Sequence, residues 1–588
     1  MPRILSPRSN HGLKGGDYSR ILSTPLLDNL ADSFGPDVNC YLTILRTIMG
    51  LFQSRVDETS SDFAKNRREM EMLVAELHTL KERAVAASNK RRPNFEKRGQ
   101  LTPRERLGHL LDPGMPWLEL FGLANYLVDD PNPEHSIPGA SVIAGIGFVN
   151  GIRVMVFVFD SGINAGASTP RTGEKFRNCL DIALRFKLPF IQLVESAGAN
   201  LMRYSVEGWA HGGGVFRRLA NRSAAGLPTI TVLHGPSTAG GAYYPGLSDY
   251  VVAVRNMGRA SLGGAALVKA ATGEDADPEE LAGAEMHATV SGLVEYLASD
   301  DGEAIALARD IVARLDWNRR CELKPLQGYE PPIYPADQLA GVVPVDYRIA
   351  YDVREVAARI VDGSVLEGFK PGYGPSLVCL HGAVMGQSIG IVGNNGPIDT
   401  NGAAKATQFI QLCDQADLPL VFLHNVTGYM VGTSYEQAGM IKHGAKMIQA
   451  VANVRVPKIS FYVGATFGAG NYGMAGYAYQ PDFLFAWPNS KSGVMGGEQA
   501  AITMEQVARG SAASKRIDVD ENKLARQRAE LIAHFDRQSH AFYTSGRLLD
   551  NGVIDPRDTR NVLGFCLQTC REAKARDVQP NSFGVGRM

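Results

Sequence analysis

Residues 223–248 and residues 459–481 carry no Asp, Glu, Lys or Arg. Each is long enough to cross a bilayer, but Gly and Pro interrupt both, and Ser, Thr, Asn or His stand among the apolar positions. Such a pattern predicts a buried strand running into a Gly-rich turn, and no membrane span. The two stretches are also related. Residues 227–243 lie without gaps on residues 456–472, an offset of 229. Upstream, LPFI at 188–191 matches LPLV at 418–421 at an offset of 230, and Lys175 falls on Lys405. Downstream, Gly263 and Gly264 are echoed by Gly496 and Gly497 at an offset of 233. An offset held this nearly constant over about 90 residues marks a duplicated domain, with a period far longer than a solenoid repeat.

In each copy a helical segment (175–185; 405–415) leads to a Leu-Pro break, then to an apolar strand (190–194; 420–423) and a small-residue turn. A second, Pro-led strand of β-branched and aromatic residues ends in a Gly-rich loop and a helix start. Alternation of strand and helix predicts an α/β fold with a mainly parallel sheet, whose ligands collect beyond the carboxyl ends of the strands. Outside the repeat, residues 54–90 are charged with a helical apolar period (Phe63, Met70, Leu73, Leu77, Leu80), which predicts a helical lead-in. Residues 317–344, with their Pro-Pro and Tyr-Pro pairs, read as an inter-domain linker, and 522–543 as a long amphipathic helix. The organisation expected is an extension at 1–53, one domain at 54–330 and a second at 331–588.

A length of 588 residues agrees with two large domains, and 45% apolar with 21% charged residues is the composition of an ordinary soluble globular protein. Sixty basic against sixty-one acidic residues leave a net charge of −1, with no nucleic-acid or anionic-membrane footprint. Seven scattered cysteines include no C-x-x-C pair. Cys566 and Cys570 have helical spacing and read as buried helix-face residues, so no metal is expected, and a reducing cytosol fits such usage. The first 35 or so residues hold early basic positions but no apolar core of signal-peptide length. They read as a flexible extension, with an organellar transit peptide as the alternative.

The Gly-rich loops do not match a phosphate-binding P-loop. Gly and Ala at a strand end have another use: they leave backbone N–H groups uncovered and aimed at one point, which is how an oxyanion hole is made. The candidate turns are 196–199 and 238–241 in the first copy, and 426–428 and 468–470 in the second. One such loop alone is explained by close helix–strand packing; matched pairs in both copies favour the hole. Twelve histidines include no H-E-x-x-H, and no serine sits in G-x-S-x-G. His287 and His424 lie near strand ends and read as hydrogen-bonded structural residues. The lack of an acid, base and nucleophile set favours chemistry in which the substrates supply the base and the protein stabilises an oxyanion.

At these residues the chain resembles the carboxyltransferase β subunits of biotin-dependent acyl-CoA carboxylases, which use two duplicated crotonase-like domains. The resemblance covers roughly residues 60–588. It includes 98–106 (RGQLTPRER), 110–114 (LLDPG), 238–243 (TAGGAY), 268–274 (VKAATGE) and 393–396 (GNNG), then 443–447 (HGAKM), 467–474 (FGAGNYGM) and 494–500 (VMGGEQA). The ending, 554–560 (IDPRDTR) and 583–585 (FGV), is most like the methylcrotonyl-CoA and geranyl-CoA carboxylase branch. The family's S-G-G-A turn, which gives N–H groups to the acyl thioester oxygen, falls on Ser196, Ala197, Gly198 and Ala199. Its second pair, for the biotin ureido oxygen, falls on Ala469 and Gly470. The resemblance thus implies Ala197, Gly198, Ala469 and Gly470 as catalytic, with Gly428 and Gly468 joining them on the biotin side. Gly240, Gly241, Ala242 and Tyr244 join Ser196 and Ala199 on the acyl-CoA side.

In the implied mechanism carboxybiotin releases CO₂, the biotin enolate takes a proton from the acyl chain, and the thioester enolate attacks CO₂. Biotin is then carried by a partner α subunit bearing the biotin carboxylase and carrier functions. A homohexameric core is implied, in the cytoplasm or, in a eukaryote, the mitochondrial matrix, with no nucleic acid or membrane as partner. Three departures from the family bear on the acyl group: Ala197 for the usual Gly, residues 204–216 with HGGG at 211–214 for an acidic, Phe-containing stretch, and Tyr244 for a small aliphatic residue. They leave open which acyl-CoA is carboxylated. The competing readings are a biotin-dependent acyl-CoA decarboxylase and a catalytically silent scaffold of a carboxylase complex.

Overall fold

Runs such as IRVMVFVF at 152–159, apolar at all but one position and rich in β-branched and aromatic side chains, suit a strand buried on both faces. A computed structural model describes residues 50–326 and 328–586. The chain divides into the units Met1–Gln53 and Ser54–Met588, and every element below belongs to the second. The expected N-terminal extension lies outside the described residues except for 50–53.

The first sheet contains β1 (Leu118–Glu119), β2 (Val142–Val149), β3 (Ile152–Phe159), β4 (Phe190–Ser196), β5 (Thr229–Thr238), β6 (Tyr250–Val254), β7 (Arg259–Ser261) and β8 (Tyr296–Ala298). The second contains β9 (Glu367–Gly368), β10 (Leu377–Val384), β11 (Gln387–Asn394), β12 (Leu420–Val426), β13 (Lys458–Phe467), β14 (Phe483–Ala486), β15 (Lys491–Gly493) and β16 (Gly552–Val553). The order β1-β2-β3-β4-β5-β6-β8, with β7 beside β5, recurs as β9-β10-β11-β12-β13-β14-β16, with β15 beside β13. In each sheet an antiparallel edge precedes a parallel run, so the mainly parallel sheet expected from the repeat is present twice.

The helices that matter here are α1 (Ser61–Asn89), α2 (Pro103–Leu110), α3 (Pro170–Arg185), α4 (Gly214–Ala224), α5 (Asp301–Arg314), α6 (Thr400–Gln415), α7 (Met440–Asn453), α8 (Gly497–Lys515), α9 (Glu521–Ser539) and α10 (Thr559–Ala575). Helices α3 and α6 each begin five residues earlier than the apolar period predicts. Thr169 caps α3 with Pro170 at its first position, and Asp399 caps α6; both signals are polar and escape a reading based on periodicity. Both helices end at left-handed residues, Lys187 (φ 52°) and Asp417 (φ 58°), placed 230 apart just before the Leu-Pro breaks. The buried stripe of α1 runs through Phe63, Met70, Val74, Leu77 and Leu80, with Val74 taking the deeper position expected of Leu73. The helix expected at 522–543 is two helices. His540 is extended (ψ 137°) and caps Ala541–Gly546 through Nδ1, which accepts the Phe542 N–H.

The copies are interlocked. Helix α1 packs on Leu339–Val342, where Gly341 lies against the Phe63 ring, and Arg67 pairs with Asp337 at 2.7 Å. At the other end, Glu572 of α10 takes a bidentate pair from Arg153 of β3, both bonds 3.0 Å. Phe186 and Phe483 stack with centroids 4.7 Å apart. Much of the region read as a linker is therefore packed: Trp317 is buried in the first core and Leu339 is fully buried. Cys566 and Cys570 sit buried on α10, as their spacing predicts.

Candidate active site

The two parallel strand pairs at the centre of the sheets share an irregularity. β4 and β5 pair from Phe190↔Thr229 to Val194↔Leu233, then resume at Ser196↔Ser237. β12 and β13 skip in the same way between His424↔Tyr462 and Val426↔Thr466. Extra residues on one strand bend it and re-aim its end. Here the bend lies at the base of each candidate turn.

Beyond the bend the backbone bonds repeat at an offset of 230. Ser168 N–H donates to the Gly198 carbonyl (2.8 Å) and Asn200 N–H to that of Ser168 (2.9 Å). Ile398 N–H donates to the Gly428 carbonyl (3.0 Å) and Met430 N–H to that of Ile398 (2.9 Å). Ala199 forms a parallel bridge with Ser168, as Tyr429 does with Ile398. Gly198 and Gly428 are thus the same position twice, and both have a positive φ (88° and 138°). Ser196 Oγ donates to the Gly166 carbonyl at 2.7 Å and accepts the Gly198 N–H at 3.2 Å. The Ala197 N–H is engaged elsewhere, donating to the Ala165 carbonyl at 3.0 Å.

The loops after β5 and β13 also correspond. Ala239 and Gly468, 229 apart, both have φ 56°. Gly240, Gly241 and Ala242 follow in the 3₁₀ turn Ala239–Ala242, and Ala469 and Gly470 in the helical turn Gly468–Gly473. N–H groups in the first turn of a helix have no partner within it and point outward. Each loop reaches the turn of the neighbouring strand. A Cβ on Gly198 would lie 3.4 Å from the Thr238 carbonyl, and one on Gly470 would lie 3.1 Å from Cα of Gly428 and 2.8 Å from Cγ2 of Val426. The structure therefore gathers the predicted residues into two clusters, one per copy, each made from two loops rather than from consecutive residues.

Aromatic side chains back the first cluster. Tyr244 stacks on Phe159 (5.7 Å between centroids), meets Phe176 edge-on (5.2 Å) and leans on Phe216 (6.2 Å). Burial pushes its hydroxyl up to about 12 despite a hydrogen bond with Ser168, which fastens Tyr244 to the residue bridging Ala199. A Cβ on Gly240 would stand 3.4 Å from the Phe216 ring. The second cluster is held from below by Asn471, whose Nδ2 donates to Thr466 Oγ1 (2.8 Å) and to the Tyr462 hydroxyl (3.0 Å). In front of it opens a cleft of about 650 Å³ lined by Gly468, Ala469, Tyr472, Tyr477 and Val494. A more apolar cleft of about 780 Å³ between α8 and α9 shares Val494, Met495, His534 and Phe535 with it.

His287 has both ring nitrogens occupied, by Ser291 Oγ and the Ala260 carbonyl (2.7 Å each). His424 is buried, which pushes its pKa down to about 3, and its Nδ1 contacts Thr466 Oγ1 at 2.9 Å. Both are buried and hydrogen-bonded. No group of three or more His, Cys, Asp or Glu side chains able to hold a metal occurs among the described residues. No helix among them is long and apolar enough to cross a membrane. What residue-by-residue reading missed is the support beneath the clusters: Asn471, and an ion network of Arg106, Glu195, Asp301 and His234.

The chain matches the carboxyl transferase domain family over residues 94–584. It is 46% identical to the probable biotin-dependent acyl-coenzyme A carboxylase beta2 subunit of Mycobacterium tuberculosis, over 92% of this chain and 100% of that protein. It is 40% identical to the mitochondrial methylcrotonoyl-CoA carboxylase beta chain of Arabidopsis thaliana, over 92% of each. The solved β subunit of P. aeruginosa geranyl-CoA carboxylase superposes with a TM-score of 0.86 at 47% identity, over 92% of this chain and 100% of that one.

Proposed function

This chain belongs to the carboxyl transferase family as the β subunit of a biotin-dependent acyl-CoA carboxylase, and we propose that it divides its reaction between the two loop clusters. The first cluster takes the acyl thioester and the second takes biotin. The observation that carries this reading is the recurrence of the same turn, with the same hydrogen bonds, in both copies. Each half of a carboxyl transfer places negative charge on one oxygen, the thioester carbonyl in one and the ureido carbonyl in the other. Two preorganised N–H groups stabilise such an oxygen more in the transition state than in the ground state.

On the acyl side the donors are Gly198 and the first-turn N–H groups at Gly240 and Gly241. Gly198 gives up only a long bond to Ser196 Oγ. Ala197, whose own N–H is engaged, acts as the wall of the turn, and Ser196 and Ala199 hold it in place. On the biotin side the donors are Ala469 and Gly470, with Gly468 and Gly428 as the small residues that let the ureido group reach the backbone. The 650 Å³ cleft, with its tyrosine walls, has room for the bicyclic ring of biotin. Carboxybiotin supplies the CO₂ and, once decarboxylated, the base. The chain's own part is to orient the two oxygens and to stabilise the charge on each.

Biotin is carried by an α subunit, since the nearest approach to a biotinylation motif, at 444–447, lacks the flanking methionine. Leu201, Met202 and Trp209 near the first cluster, and Val494, Met504 and Val507 near the second, are exposed apolar residues. Surfaces of that kind mark association sites. They support a homo-oligomer, a hexamer by family resemblance, in which the first copy of one subunit faces the second copy of another. A cytoplasmic or mitochondrial-matrix location fits this assembly. Aromatic Phe216, Tyr243 and Tyr244 beside the acyl turn suit a branched, unsaturated acyl group of the methylcrotonyl or geranyl type. The test is ATP-dependent fixation of labelled bicarbonate by the holoenzyme on acyl-CoAs from acetyl to geranyl. Preference for branched unsaturated thioesters is expected; preference for acetyl-CoA or propionyl-CoA would overturn the substrate class.

A further inference from the structure

We propose that the buried network of Arg106, Glu195, Asp301 and His234 is a positioning device for the acyl-side turn and acts on the acyl half of the reaction alone. The proposal rests on the assignment of that turn to the acyl thioester. Glu195 stands at the bend of β4, where the pairing with β5 skips, and directly precedes Ser196. Its Oε2 accepts from Arg106 Nη1 at 2.6 Å and its Oε1 from Arg98 Nη2 at 3.3 Å. Arg106 Nε reaches Asp301 Oδ2 at 3.0 Å, and Asp301 Oδ1 lies 2.5 Å from Nδ1 of His234, which sits on β5 opposite the bend. Burial and the charge of Arg106 push the His234 pKa down, while the contact with Asp301 and the charge of Glu195 pull it up. Gln100 Nε2 donates to the His234 carbonyl at 2.6 Å, and Leu101 N–H to Asp301 at 2.8 Å. One buried point therefore ties β4, β5, the start of α5 and the RGQLTPRER segment together.

The fit leaves no slack. A Cβ on Gly235 would fall 2.4 Å from Cγ of Glu195, and one on Gly166 would fall 2.3 Å from the Glu195 carbonyl. The second copy provides the comparison. There Asn425 occupies the position of Glu195 at an offset of 230, and Gly464, the counterpart of Gly235, has a Cβ direction ending 2.6 Å from Asn425 Oδ1. The same bend forms there around a neutral side chain. Charge is therefore not what the fold of the bend requires. A buried ion network is also weak support for stability, because desolvation offsets its attraction. What it supplies is direction. The planar guanidinium of Arg106 spans two carboxylates at fixed angles. With Arg98 it cancels the charge of Glu195 and Asp301, which would otherwise oppose the oxyanion forming a few residues away.

Glu195→Gln keeps the shape and removes the charge. In the assembled holoenzyme it is expected to lower kcat for acyl-CoA carboxylation about tenfold or more, with KM for acyl-CoA changed less than about threefold. Release of CO₂ from carboxybiotin without acyl-CoA, in which the N–C bond breaks and water protonates the ureido group, should stay within about twofold of wild type. Glu195→Asp should recover part of the lost kcat. Wild-type kcat in Glu195→Gln, or a parallel fall of both reactions, would overturn the proposal. Should Glu195→Gln fail to assemble, Arg98→Gln, on the half-exposed arm, gives the second reading: about a threefold loss of kcat with the same split. No loss, or a parallel loss, overturns the proposal there too. Failure of the turn's assignment to the acyl thioester looks different, since Gly198→Val would then lose CO₂ release together with carboxylation.

Discussion

Gly470 gives the sharpest test of the second cluster. Replacing it with Ala puts Cβ 2.8 Å from Val426 Cγ2, 3.1 Å from Cα of Gly428 and 3.3 Å from its carbonyl carbon. Val426 can rotate, but Gly428 is backbone, so the two loops must part by a few tenths of an ångström. Donors act over a narrow range, about 2.7–3.1 Å from the oxyanion, so this displacement consumes most of the tolerance. Loss of one donor costs about 2.7–4 kcal/mol, roughly a factor of 10²–10³ in turnover. Gly470→Val, with two further methyl groups, should reach that range, and Gly470→Ala should fall about tenfold, short of it. The assay is turnover of the reconstituted holoenzyme, with circular dichroism and light scattering to establish fold and assembly. Gly470→Val should lose both acyl-CoA carboxylation and CO₂ release from carboxybiotin, because the second precedes the first. Gly198→Val should lose carboxylation and retain CO₂ release. At its φ of 88° any side chain also adds backbone strain of about 1–2 kcal/mol. Near-normal turnover in a folded, assembled Gly470→Val protein would refute the placement of biotin in this loop.

Two further outcomes are expected. Burial raises the Asp550 carboxyl from 3.8 to about 7, against the bond from Ser545, so the folded state holds a proton that the unfolded chain has released. Stability then falls as pH rises from about 4 to 7, by on the order of 4 kcal/mol. Asp550→Asn should remove that slope, so thermal melts at pH 5 and pH 8 should show the variant gaining on wild type at the higher pH; an equal difference at both contradicts it. The purified chain alone should neither bind streptavidin nor fix bicarbonate with ATP, and a biotin signal on this polypeptide would exclude a separate carrier.

The duplication was legible because it rests on small and apolar residues whose spacing survives in both copies. The offsets of 229 and 230 mark residues that share φ values and hydrogen bonds in space. The helix starts at Pro170 and Thr400 were missed because caps are polar, and the break at His540 because an extended residue leaves no trace in an apolar period. The engagement of the Ala197 N–H depends on Ala165, thirty-two residues away in sequence, and no local pattern announces it. In the sequence the motif at 98–106 carries only a resemblance. Its physical meaning, a capping box of Thr102 and Glu105 that aims Arg106 at Glu195 and Asp301, emerges only when β4 and α5 are brought beside it.

The division of labour between the clusters is tested most directly by a crystal structure of the assembled protein with an acyl-CoA and biotin both bound. The thioester oxygen is predicted within hydrogen-bond distance of the N–H groups at Gly198 and at Gly240 or Gly241. The ureido oxygen is predicted at those of Ala469 and Gly470. Ligands in exchanged positions, or a thioester oxygen facing no backbone donor of the first copy, would contradict the account.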